Sequence, residues 1–131
     1  MFILNQNQKK ELKKVAKRFE LKLILLFGSF VFQKMHKESD LDIAILSRRG
    51  VFSLDLYSAF LKIFSGQKID LTFINEADPL LLKEISDHCF LLYGSKRNFL
   101  KFKLNSFFRY QDYRPFFVLE KKAVKNFIKS L

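Results

Sequence analysis

One cysteine, Cys89, stands in a chain of 131 residues, so no internal disulfide can form and a reducing cytoplasm is the natural setting. Glycine and proline are also scarce, at four and two residues, and neither a low-complexity linker nor an internal repeat divides the sequence. Hydrophobic residues make up 49% of it, yet no run approaches the roughly 20 apolar residues that a membrane span needs. Residues 1–4 pass at once into a polar, lysine-rich stretch, which is not the pattern of a signal peptide. One domain over 1–131 is therefore expected, with its core at about 21–93 and a basic, aromatic helical tail at 95–131. That length supports a real core but not a second domain of ordinary size, so a large substrate must be held by another chain or on a shallow surface.

Acidic residues are the other shortage: 13 against 24 Lys and Arg, for a formal net charge of +11. The imbalance lies at the two ends. Residues 1–22 carry seven bases and two acids (+5), residues 94–131 ten and two (+8), and the middle, 23–93, seven and nine (−2). A slightly acidic centre suits a metal-binding core, and the basic ends are left to meet something anionic. Because their charge is interleaved with phenylalanine at helical spacing, a protein partner is favoured over nucleic acid.

Periodicity predicts the elements. Leu12, Val15, Ala16 and Phe19 share one face of a helix over 6–20. The apolar run 21–27 is a buried strand ending at Gly28, and Ser29 opens a short helix or turn to about residue 35. In 41–46, Leu41, Ile43 and Ile45 alternate with Asp42 and Ala44, so Asp40 and Asp42 leave one side of a strand. A helix over 53–64 is expected to bury Leu54, Tyr57, Leu61 and Phe64. In the strand 68–74, Ile69, Leu71 and Phe73 face one way and Asp70 and Thr72 the other. Asp78-Pro79 starts a helix to about 87, and 90–93 adds an edge strand. The tail is expected to form two helices broken near Arg114-Pro115, since the residue before proline disfavours the helical region. Its many phenylalanines must pack on the domain or on a partner. The sum is an α/β (α+β) two-layer fold, a small mixed sheet carrying the acids with helices behind it.

The residues that carry chemistry are Gly28-Ser29, Asp40-Leu41-Asp42 and Asp70. A glycine-serine turn can present N–H groups and a hydroxyl to phosphate oxygens, and carboxylates two apart on a strand can share divalent cations. His36 and His88-Cys89 have no metal-ligand spacing, and Arg109 to Arg114 reads as the end of an amphipathic helix.

In this order the motifs resemble the nucleotidyltransferases of the polymerase-β-like superfamily, and the small size resembles its minimal, MNT-type branch, often the antitoxin partners of HEPN-domain toxins. The likeness covers about 21–74 strongly and is loose beyond Asn75. It implies a Mg2+-dependent transferase with two ions, in which Asp40 and Asp42 ligate the metals that carry the triphosphate. Asp70 would complete the second metal site and help deprotonate the acceptor, and Gly28 and Ser29 would hold the β/γ-phosphates. It also implies transfer of AMP from ATP to a tyrosine of a cognate HEPN toxin by a type VII antitoxin. Two other readings remain open: an inactive antitoxin that neutralises by binding, and nucleotidylation of a small molecule, whose enzymes usually carry a further domain. One departure stands out. The branch often continues after Gly-Ser with a small residue and Arg-Gly, whereas this chain has Phe30-Val31-Phe32-Gln33, which leaves triphosphate charge to Lys34, Lys37 or Arg48.

Overall fold

The structure, a computed structural model, describes residues 4–28, 40–48, 54–65 and 67–131. In chain order the elements are α1 (Gln6–Arg18), β1 (Leu21–Phe27), β2 (Leu41–Ser47), α2 (Leu54–Ile63), β3 (Ile69–Phe73), a 3-10 turn (Ile74–Glu76), α3 (Pro79–Asp87), β4 (Cys89–Tyr93) and α4 (Lys96–Ser130). Local sequence sets most of the boundaries. Asn5 and Gln8 close a capping box at the start of α1, each side chain bonding the other's backbone N–H. Asp78 accepts from the Leu81 N–H with Pro79 in the first turn of α3, and Ser95 caps α4 through the Asn98 N–H.

The strands form one mixed sheet in the order β3-β2-β1-β4. β1 runs antiparallel to β2 and to β4, while β2 and β3 are parallel. β1 and β2 are central, which is why Leu23 to Leu26 are wholly buried: a strand covered on both faces loses the polar alternation of a half-exposed one.

Helices cover both faces, so the two-layer expectation is corrected to a sheet between helical layers. One core joins α1 and α2 to Ile24, Leu26, Ile43, Ile45 and Ile69. The other places Leu82, Ile85 and Phe102, from α3 and α4, over Leu23, Leu25 and Ala44. The second layer exists because β1 is apolar on its other side too, and Leu23 and Leu25 need a cover as much as Ile24 and Leu26 do.

Two further expectations change. In α2 the buried residues are Leu56 and Phe60, with Phe64 just beyond the helix, while Leu54 is 75% exposed and Leu61 lies at the surface. The rotation follows from tertiary contact: Phe60 fills the core under the sheet, and the helix turns to put it there. The tail is one helix of 35 residues that runs through Pro115, not two. Tyr110, Tyr113, Phe116 and Phe117 stack across the proline, with ring centroids about 6.0–6.2 Å apart. Proline there removes one bond, to the Gln111 carbonyl, at an exposed position where water can replace it.

Candidate active site

The sheet's parallel pairing brings the acids together. Asp42 is the register partner of Asp70 on β3, and on its other side that of Phe27 on β1, immediately before Gly28. Asp42 and Asp70 both leave the face opposite the α1/α2 core, because Leu41 and Ile43, and Ile69 and Leu71, occupy the other. Asp40 lies one residue before β2 and is exposed, as is Asp70; Asp42 is half-buried. Burial raises the Asp42 carboxyl above its ordinary value, and the negative charges of Asp70 and then Asp40 raise it further. Asp40 is therefore within electrostatic reach of the pair. Among the described residues none of the three makes an ion pair with a Lys or Arg.

Gly28 completes the arrangement. Its φ is +80°, a conformation that side chains disfavour, and a β-carbon there would run into Oδ2 of Asp42 and stand 3.1 Å from its Cγ. Glycine thus lets the end of β1 lie directly against the carboxylate. Ser29, the other expected phosphate ligand, lies outside the described residues, as do Phe30 to Gln33, Lys34, His36 and Lys37.

Two residues that sequence reasoning gave no polar role position the acidic pair. Tyr57 on α2 donates its hydroxyl to the Ile69 carbonyl at 3.1 Å, tying β3 beside Asp70. Asn75 accepts from the Ser47 N–H and donates to the Ser47 carbonyl, at 3.1 and 2.9 Å, acting as a strand partner at the far end of β2. The only signal for Tyr57 was a hydroxyl-bearing residue on an apolar stripe, and Asn75 gave none. Arg48, one of three cations considered for the triphosphate, is not at this site. It lies six residues beyond Asp42, about 20 Å along the strand, in a cleft with Lys13, Lys22 and Gly94.

A matching family model, polymerase beta nucleotidyltransferase, spans residues 10–98, which includes all four strands and every acid of the site. The chain belongs to this nucleotidyltransferase family. Among proteins of curated function none matches it in sequence. Solved structures share its fold. A chain in the crystal structure of a toxin-antitoxin with AMP-PNP superposes with a TM-score of 0.73 at 21% identity, over 92% of this chain and 98% of that one. The MntA-HepT toxin-antitoxin gives 0.66 at 21%, over 95% and 99%. A tri-AMPylated Shewanella oneidensis HEPN toxin in complex with MNT antitoxin gives 0.66 at 21%, over 95% and 98%.

The nucleotidyltransferase's donor set fits a hard divalent cation: carboxylate oxygens only, gathered negative charge, and an Asp42 whose ionised form needs compensation. Among the described residues no three His, Cys, Asp or Glu side chains enclose an ion by themselves. Such chemistry suits Mg2+, which usually takes one or two carboxylates and completes its octahedron with water and substrate phosphates. No helix among the described residues is long and apolar enough to cross a membrane.

Proposed function

We propose that this nucleotidyltransferase moves AMP from ATP, with Mg2+, onto a tyrosine hydroxyl of a HEPN-type toxin, and so serves as its antitoxin. The observation that carries the reading is the in-register pair Asp42 and Asp70 beside the Gly28 turn, in a chain whose fold matches those of toxin-antitoxin complexes that hold AMP-PNP or an AMPylated toxin.

Asp40, Asp42 and Asp70 are the residues that would hold the metal ions, which when bound neutralise charge on the triphosphate and on the attacking and leaving oxygens. Gly28 and Ser29 receive the β/γ-phosphates through N–H groups and hydroxyl. Asp70, the more exposed of the register pair, faces solvent where an incoming hydroxyl arrives, and it takes the tyrosine proton. The tyrosine oxygen then bonds to the α-phosphorus as the bond from that phosphorus to the bridging oxygen breaks, and pyrophosphate leaves with the electron pair. Asp42, half-buried between its neighbours, orients the donor set.

A second reading is favoured by one feature, the absence of Arg-Gly after Gly28-Ser29: an antitoxin that neutralises its partner by binding alone. Incubation with the protein encoded beside it, ATP and Mg2+ separates the two. AMP mass on a tyrosine of that neighbour, lost in Asp40→Asn/Asp42→Asn, is the expected result. Silencing of the neighbour by wild type and double variant alike, without any mass change, would establish the binding-only antitoxin.

A further inference from the structure

The helix α4 is far longer than its support. Thirty-five residues span about 52 Å at 1.5 Å each, whereas the seven-residue strands reach only about 23 Å. Burial follows that limit: Phe102 and Ser106 are buried against the fold, and beyond Tyr110 only Phe117 is even half-covered. The Ser106 hydroxyl donates to the Phe102 carbonyl at 2.8 Å, so this first stretch is satisfied internally.

The apolar face does not stop where the support does. Phe99, Phe102, Ser106 and Tyr110 continue at steps of three and four through Tyr113 and Phe117, and after a step of seven past Glu120 and Lys121 the same side of the helix carries Val124 and Ile128. Val124 is 53% and Ile128 62% exposed. With Leu80 of α3, the side chains of Phe117, Val124 and Ile128 line a mainly apolar groove of about 540 Å³, edged by Lys121 and Lys125 and by one acid, Glu120. The packed face of α4 therefore extends into an uncovered one, interrupted once by the charged turn at Glu120 and Lys121.

Charge decides between occupants. From 109 to 131 the chain carries six Lys and Arg against two acids, so a second copy would bring a like-charged helix to the groove. A helix with an apolar face and an acidic rim fills the groove and pairs with both lysines. We propose that the stripe Tyr113, Phe117, Val124 and Ile128, with Leu80, is the docking surface for such a helix on the protein whose hydroxyl receives AMP. The inference rests on the reading of that protein as a toxin encoded beside this chain.

Binding of the neighbour to the full chain at 150 mM salt is the measurement, followed by AMP transfer under the same conditions. Val124→Glu/Ile128→Glu is expected to weaken binding at least tenfold. Lys121→Glu/Lys125→Glu, which leaves the apolar stripe intact, is expected to weaken it severalfold, with a shallower salt dependence. Leu119→Glu, on the opposite side of the same helix, is expected to stay within twofold. Mg-ATP thermal shifts of the isolated variants should match wild type, since none of these residues touches the acids. Unchanged binding in both double variants overturns the docking surface while leaving AMP transfer to judge the function. Docking through α4 without AMP transfer has the opposite meaning. An isolated chain that dimerises, and that Val124→Glu/Ile128→Glu makes monomeric, assigns the stripe to a second copy and overturns the proposal. So does tight RNA binding that the same variant abolishes, or a neighbour that does not bind wild type.

Discussion

Asp42 bears the conflict on which the site depends. Burial and two neighbouring carboxylates raise its pKa, so the folded protein binds this proton more tightly than the unfolded chain does. The sign follows: as pH rises from the unfolded carboxylate range through the raised folded value, Asp42 progressively costs stability, and above that value the full cost persists. Asp42→Asn is expected to raise the melting temperature at pH 7. The gain should vanish in acid, where both states are protonated, and nucleotide transfer should fall by at least two orders of magnitude. A melting temperature that drops instead would give Asp42 a structural role. Gly28 is tied to the same carboxylate. Gly28→Ala meets both a positive φ and Oδ2 of Asp42, and should cost about 1–3 kcal/mol. Denaturant titration of Gly28→Ala/Asp42→Ala should show less than the summed loss, because removing the carboxylate leaves room for the new methyl.

Elements take their orientation from what they cover. Phe60 is wholly buried and its neighbour Leu61 is not, so Phe60→Ala should cost about 3–5 kcal/mol and Leu61→Ala less than about 1 kcal/mol. Equal losses in chemical denaturation would contradict the observed rotation of α2. In α4, Pro115 leaves the Gln111 carbonyl without its helical partner. Pro115→Ala restores that bond, and amide exchange over 115–120 should slow by roughly tenfold. The full helix-interior penalty of about 3 kcal/mol is not expected to appear, because the exposed end of a helix also opens by fraying.

For the whole molecule, the sheet and its two helical layers hold the site, and the distal half of α4 adds little to them. A chain ending at Arg114 should melt within a few degrees of the full length, since Phe117 alone beyond that point is half-covered. A large loss would mean that the distal helix returns to the fold. Its removal should nevertheless abolish capture of the neighbour. The two halves of α4 thus answer to different requirements, the first to the chain's own core and the second to whatever covers it.

The sequence by itself determined what depends on neighbours along the chain. Caps at Asp78 and Ser95, the apolar stripe of α1, and the alternation that sends Asp42 and Asp70 to the face opposite Leu41 and Ile69 are all local, set by backbone geometry and period. The order of Gly28-Ser29, Asp40-Leu41-Asp42 and Asp70, with the hydrophobic strands around them, carried the resemblance to the family to which the chain belongs. Tertiary structure alone decided what depends on distant partners. The rotation of α2 about Phe60, the second helical layer over Leu23 and Leu25, and the role of Tyr57 in holding β3 arise from residues that meet only after folding. The continuity of α4 through Pro115 is a matter of surroundings as well, because the one bond that proline removes lies at an exposed position where water replaces it. The separation of Arg48 from Asp42, by contrast, follows from the rise along one strand, and only the cleft that Arg48 shares with Lys13 and Gly94 is a tertiary result.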